Sequence, residues 1–558
     1  MNCLLISVRK IDFSKFDLFT TPKLTTPNPL LKQEGAKTRR PFGIAPSCFR
    51  RGLGVVSLGV VNRSNLRKLC IHYIIILLLS AHQLSAQPQP TTLSDVLQLA
   101  QNQSVAAKRA ITQQRTNIWS YRSFLAQFKP QLSLDGSLPN FTRSYVQVTQ
   151  PDGNIRFEPV SYNNSILNLS LSQTIAPTGG TIFVQKQLQR FDNFIQNNTL
   201  YNGIPFGIGL SQPLFQFNPM RWDRKIQPLL FAEGNQQLIE SLEQVSLNAT
   251  NLYFDLLVAQ VNLQIAETNR ANNDTLYRIA LHKLDMGKIS QNDLLQLQLS
   301  VLNAEKDLAS ARQTAAVASL RLKTFVGYRD DAAGQVRALE LAIPNQIPVL
   351  VVDVKRAIDE AVANRAAAIG FRRRLFEAER DLEKARKNNG LNATLTAGYG
   401  LSNQGPNLID VYIRPQNREY VSLQFTLPIM TWGRARALVE TAKANRELAQ
   451  QTVEQDKLTF EQEIFTQVTL LQMLNQQVTL TAKADQIGQA RYQIAQDRFK
   501  LSDLSVTDLG IATQEKDRAR RDAILALRDY WQAYYTLRLL TLYDFDTNLK
   551  IKVMDNGK

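Results

Sequence analysis

Cysteine is nearly missing from this chain of 558 residues: Cys3, Cys48 and Cys70 are the whole supply, and all lie in the first 70 positions. Past residue 86 there is no thiol, which excludes a disulfide framework and thiolate chemistry from most of the chain. Histidine is almost as scarce, since of three only His282 lies beyond residue 86. One histidine and no cysteine leave little for a metal site or a His-based triad. Neither G-x-S-x-G nor H-E-x-x-H occurs, and the acids are strung along helical faces, where charge is solvated, rather than paired for glycoside chemistry. No enzyme and no cofactor are expected. Long apolar runs are absent too. The one apolar stretch, Ile71 to Leu79, is short of the roughly 20 residues that a helix needs to cross a bilayer.

The net charge of +17 is unevenly placed. Residues 1–86 hold thirteen Lys/Arg against three Asp/Glu and so carry ten of the seventeen charges. The remaining surplus shows no basic patch with interleaved aromatics, and the run Arg372-Arg373-Arg374 reads as a solvated helix face, so no nucleic-acid partner is expected. Arg63, Arg67 and Lys68, the apolar Ile71–Leu79 and a small-residue end at Leu84-Ser85-Ala86 describe a signal peptide over 62–86. Residues 1–61 are basic, patternless and broken by Pro and Gly; they read as a non-native or disordered leader.

A duplicated stretch organises the rest. Gln212-Pro213-Leu214-Phe215 leads to Gly287-Lys288-Ile289-Ser290-Gln291-Asn292-Asp293-Leu294-Leu295, and Leu427-Pro428-Ile429 leads to Ser502-Asp503-Leu504-Ser505-Val506-Thr507-Asp508-Leu509. Pro213 and Asp293 are 80 positions apart, as are Pro428 and Asp508, so an offset of 215 superposes the copies without a gap. Between the anchors Val245, Ala249, Leu252, Leu256, Ala259, Leu263 and Ala266 step by four and three, the seam of a coiled coil. The second copy repeats it at Phe460, Ile464, Gln467, Leu471, Leu474 and Val478, with one polar member. Leu247, Phe254 and Val261 form a neighbouring stripe, and Gln and Asn crowd the remaining surface. Such a helix has neighbours on two sides and water on a third, which fits the wall of a wet tube as well as a plain coiled coil.

In chain order, Ser94 is the expected cap of a helix reaching Gln127, and Lys129-Pro130 breaks it. Alternation then predicts strands at 131–138 and 145–148, a polar loop over 149–164, and further strands at 166–171, 181–184 and 206–213. Asn218-Pro219 opens a helix of about 60 residues, and Gly287 turns it. Ser290 with Asp293 caps the return to Phe325. Residues 327–352 connect the halves. A helix from Asp353 to Asn388, strands at 391–397 and 420–427, a long helix from Thr431 to Lys500 and a last helix from Ser505, with Asp508 in its first turn, make the second half. Alternating segments of about ten residues suit a membrane barrel. One chain supplies four clear strands and two more candidates within 166–191, too few to close a wide pore alone. Domains are expected as 87–326 for the first repeat, 353–545 for the second and a polar tail at 546–558.

The signal peptide, the duplication, the strand-ending Gln212-Pro213-Leu214-Phe215 and the turn Gly287-x-Ile289-Ser290-x-x-Asp293-Leu294-Leu295 together resemble TolC-type outer-membrane efflux proteins. The resemblance covers about 94–545. It implies long helical hairpins forming a coiled-coil tunnel in the periplasm of a Gram-negative bacterium. It also implies β-strands that contribute to a shared, trimeric 12-stranded barrel in outer-membrane lipid. The partners implied are two further copies of the chain, a periplasmic adaptor of the membrane-fusion type and an inner-membrane transporter, with the channel itself passive. Gly287, Ile289, Ser290, Asp293, Ser502, Leu504 and Ser505 fall on the adaptor-facing tips, and Pro213 and Pro428 on the strand-to-helix joints. Asp508 falls on the family's tip aspartate, with Asp503 beside it as a second gate candidate. Ile511 stands where a second acid can occur and Leu504 where a locking Arg can, so one acidic ring is expected at most. Capping alone also explains Asp293 and Asp508. A periplasmic adaptor or coiled-coil scaffold without a pore is the rival reading, disfavoured by two hairpins and no membrane anchor.

Overall fold

The computed structural model describes residues 90–328, 339–344, 347–348, 350–501 and 503–552. The leader and signal-peptide expectations therefore lie outside the described residues, as does Ser502. Two short helices open the described chain, α1 (Leu93–Gln103) and α2 (Val105–Ala126). Thr92, not Ser94, caps α1: its hydroxyl accepts from the amide of Asp95, whose carboxylate takes the Thr92 amide at 3.0 Å. The helix expected to be continuous breaks at Ser104, which is extended and caps α2 through the Ala107 amide. The same break recurs in the second half, where α5 (Val354–Asn364) and α6 (Ala366–Asn388) part at Arg365.

The two hairpins repeat element for element. Helix α3 (Pro219–Asp285) has 67 residues and α4 (Gln291–Val326) has 36; α7 (Arg434–Lys500) and α8 (Val506–Thr541) have 67 and 36 again. Both pairs sit 215 positions apart, the offset seen in the sequence. At 1.5 Å per residue each long helix runs about 100 Å. The seam is buried: Val245, Ala249, Leu256, Ile464 and Leu471 are all shielded. The polar member Gln467 is satisfied by donating to the Ala533 carbonyl across the hairpin at 2.9 Å.

Packing places the helices side by side. Nearer the tips the order is α4, α3, α8, α7; nearer the sheet it is α2, α3, α6, α7. Helix α7 is therefore an edge along its whole length. The first seven β-strands form one sheet. β1 (Gln131–Ser137) and β2 (Phe141–Thr149) share one side of β3 (Ile155–Ile175), and β4 (Gly180–Asn193), β5 (Asn198–Leu214), β6 (Asn392–Gly405) and β7 (Gln416–Thr426) follow in order, all antiparallel. The loop expected over 149–164 is confined to a turn at 150–154, because residues 155–163 pair with the whole of β2. The two candidate strands within 166–191 belong to this sheet, which stands six staves wide when β1 and β2 are counted as one interrupted stave. Four staves per chain would suffice for the 12-stranded trimeric barrel expected from the resemblance. After α8 the chain is not a plain polar tail: β8 (Tyr543–Asp544) pairs with β9 (Leu549–Lys550), and the Ile551 amide returns to the Leu542 carbonyl.

Candidate functional site: helical tips and open edges

The first tip is built by local chemistry. Gly287 takes φ 67°, the left-handed region that glycine enters without a Cβ penalty. The Lys288 amide then reaches back to the Lys283 carbonyl at 2.9 Å. The Ser290 hydroxyl caps α4 through the Asp293 amide, and the Asp293 carboxylate takes the Ser290 amide at 3.1 Å. The Ser290 hydrogen bonds hold the Asp293 carboxyl below its ordinary range. A depressed pKa means the cap is in force above the usual carboxylate value near 4 and fails only as pH falls through a lower one; no loss of this cap is expected between pH 5 and 8. Ser290→Ala should cost about 1 kcal/mol. Hydrogen exchange at the first α4 amides, about fivefold faster, would register it; unchanged exchange would show the cap to be idle.

The second tip follows the same plan with different side chains. Asp503 sits where Lys288 does, and its carboxylate is held by the Arg498 guanidinium at 2.9 Å. Ser505 caps α8 through the Asp508 amide at 3.0 Å, with its hydroxyl on the Asp508 carboxylate at 2.7 Å. Asp508 is exposed. The tips meet on a small apolar cluster in which Leu276, Ala280 and Leu297 of the first hairpin face Tyr492, Phe499 and Leu509 of the second, with Ile289 and Leu504 partly buried against it. Lys283 fastens this contact. Its ammonium, 7% exposed, donates to the Phe499 carbonyl at 2.9 Å and lies 4.6 Å above the Phe499 ring. It thus places a cation on the negative end of α7. Burial, with Lys288 nearby, lowers its pKa.

Above the tips the hairpins are tied by polar groups. Asn272 donates to the Tyr492 hydroxyl at 3.1 Å, Asn269 donates to Asp517, and Lys516 pairs with Asp517 at 3.1 Å while lying 4.3 Å over the Tyr492 ring. Alongside runs a groove of about 750 Å³ between α4 and α8, floored by α3 and lined by polar groups such as Asn273, Ser300, Thr513 and Gln514.

Both lateral edges carry apolar residues that the chain leaves uncovered. On α7, Leu458, Phe465, Met473, Leu480, Ile487 and Ile494 are more than half exposed and recur every seven or eight residues. They lie about half a turn from the buried seam of Phe460, Ile464, Leu471, Leu474 and Val478. On the opposite edge α4 exposes Leu295, Leu299, Leu302 and Leu320, and α2 exposes Trp119. The heptad spacing of the α7 stripe is visible in the sequence; the stronger seam beside it masks it, because only the fold says which of two stripes is already covered. The strand-to-helix joints behave differently from one another. Pro213 stays inside β5, opposite Thr394, whereas Pro428 lies beyond the end of β7 in an exposed joint with Ile429, Met430 and Trp432.

A sheet set on paired helical hairpins leaves open edges at both levels. The profile of outer membrane efflux proteins matches residues 180–328 and 357–541, more than half of the chain.

The chain belongs to the outer membrane efflux protein family.

The CmeC outer membrane channel of Campylobacter jejuni shares the fold at a TM-score of 0.60 and 15% identity, over 83% of this chain and 87% of that one. The outer membrane protein VceC of Vibrio cholerae superposes at 0.56 and 15% identity, over 81% and 96%. The open state of the Neisseria gonorrhoeae MtrE outer membrane channel does so at 0.56 and 14%, over 82% and 90%. No curated protein matches the sequence. As an efflux protein the chain is an outer-membrane channel component. Among the described residues no helix is long and apolar enough to cross a membrane, and no cluster of three or more His, Cys, Asp or Glu could hold a metal ion.

Proposed function

We propose that three copies of this efflux protein close edge to edge into one duct and serve as the passive exit of a tripartite exporter. The observation that carries this is the exposed heptad stripe on α7, opposite the seam that already binds α8. A helix with apolar faces on both sides needs a neighbour on both sides. Within the chain α7 has one, and the uncovered Leu residues of α4 on the far edge supply the other when a second copy is placed beside the first. Four helices abreast from each of three copies make a ring of twelve around a bore. The sheet edges, β1–β2 on one side and β7 on the other, stand on the same flanks, so helices and strands close together and leave no exposed sheet edge.

The tips Met286–Asp293 and Leu501–Asp508 are then the periplasmic mouth. The polar groove between α4 and α8 offers a periplasmic adaptor side-chain amides and hydroxyls next to the tip. An inner-membrane pump behind the adaptor supplies the energy. At the mouth Asp503 is neutralised by Arg498 within its own tip, so Asp508 is the acid left to face the axis. Three such carboxylates favour cations and repel one another. Asp508→Ala should lower cation preference in planar bilayers and change conductance; currents identical to the parent would remove Asp508 from the gate while leaving the duct intact.

A further inference from the structure

The two halves of the chain match in their helices but not in their strands. Between α2 and α3 lie ninety-two residues, against forty-five between α6 and α7, and the surplus is a hairpin that the second half lacks. We infer that this hairpin is part of the membrane wall, so that each copy contributes six staves and the assembled barrel has eighteen rather than twelve. The inference rests on the three-copy duct proposed above.

Three observations carry it. First, hydrogen bonding is continuous: β3 is paired along both sides, with β1 and β2 on one and β4 on the other, and β4 continues into β5. A hairpin standing outside the wall would require β1 to pair with β5, whereas β3 and β4 stand between them in the sheet. Second, the turn of the hairpin sits on the helical side. Asn218, which caps α3, donates its side-chain amide to the Ala176 and Pro177 carbonyls at 2.9 and 3.1 Å, and Gln212 donates to Thr178. The turn at 176–179 is thus level with the strand-to-helix joints, and β3 and β4 rise from the same rim as the other staves. Third, the faces agree across the sheet. Leu132, Leu171, Val184, Ile208 and Tyr399 form one cross-strand row, while Thr174, Thr181, Ser211, Thr396 and Ser422 form another on the opposite face. An apolar band facing lipid and a polar one facing the lumen is the pattern of a membrane barrel, and here both bands run through β3 and β4. Lys186 interrupts the apolar face, and its ammonium reaches the Tyr412 ring at 4.8 Å, as a snorkelling lysine does.

At strand spacings near 4.8 Å and a tilt near 40°, twelve staves give a backbone diameter of about 24 Å and eighteen about 36 Å. The consequence is a wider outer opening than four staves per copy allow.

The test uses the full chain with Cys3, Cys48 and Cys70 replaced by Ser, so that a single introduced thiol carries a fluorophore. Leu171→Cys, Ile208→Cys and Ser170→Cys are labelled and reconstituted with brominated lipids, and the oligomeric state is measured on each sample. In trimers, quenching at Leu171→Cys should equal that at Ile208→Cys and exceed that at Ser170→Cys several-fold. Trimers quenched at Ile208→Cys but not at Leu171→Cys would place the hairpin outside the wall and overturn the eighteen-stave barrel alone. Monomers unquenched at Ile208→Cys would overturn the duct itself.

Discussion

Placing glutamate at two stripe positions of α7, Leu480→Glu with Ile487→Glu, should abolish the trimer and leave a folded single chain. The asymmetry between fold and assembly makes this the largest effect expected. Both side chains are about two-thirds exposed in the single chain, at 68% and 62%, so a carboxylate there stays hydrated and the hairpin loses almost nothing. In the ring proposed above the same positions would lie under α4 of the next copy. Losing two buried aliphatic side chains removes about 3–6 kcal/mol per interface, or about two to four orders of magnitude in association. Desolvating the new carboxylates adds to the loss, and the interface occurs three times. Size-exclusion chromatography with light scattering in detergent should show a monomer with unchanged helical content and no conductance in planar bilayers. Gln486→Glu, exposed and off the stripe, is the control and should remain trimeric. A double-glutamate variant that still assembles would mean that α7 is not the closing edge.

The same stripe shows where sequence reasoning reached and where it stopped. The duplication, the hairpin lengths, the Gly287 turn and the Ser290–Asp293 cap were legible because each is encoded within a few residues or repeats with a fixed offset. Burial of Val245 through Ala266 followed from its three-four spacing. What was not legible depended on partners distant in sequence. Residues 155–164 look like a loop because Pro159, Asn163 and Asn164 are poor strand formers, yet Pro159 pairs with Tyr145 of β2, Asn164 with Phe191 of β4, and Asn163 with both strands. Ser94 looked like the first cap, but Thr92 lies two residues nearer the chain start and has Asp95 at the right spacing to reciprocate. The breaks at Ser104 and Arg365 have no Pro or Gly to announce them. At the tips, Lys283 carries no motif. Its role exists only because α7 of the other hairpin ends 2.9 Å from its ammonium.

Removing the Arg538 guanidinium should destabilise the chain more than any other single charge substitution. Arg538 of α8 lies between Glu243 of α3 and Asp544, with its Nε at 3.2 Å from one carboxylate and its Nη1 at 2.9 Å from the other. Glu243 is 2% exposed. Tyr534 donates its hydroxyl to Asp544 at 2.9 Å, and the rings of Tyr534 and Tyr535 lie 5.8 and 5.4 Å from the guanidinium. This group therefore joins the two repeats where α8 ends, partway along α3, and there α3 and α8 must hold their spacing for either seam to close. Arg538→Ala leaves the buried Glu243 carboxyl without its partner, a loss of about 3–5 kcal/mol. The pair itself is a weaker source of stability than that figure implies, because bringing both ions out of water costs much of what their attraction returns. Replacing both, Arg538→Met with Glu243→Met, should therefore recover most of the loss. Chemical denaturation followed by helical signal distinguishes the cases. A midpoint for Arg538→Ala within the range of surface substitutions would show that the repeats are fastened elsewhere. A double variant as unstable as the single one would show that packing around Arg538, rather than its charge, holds α3 against α8.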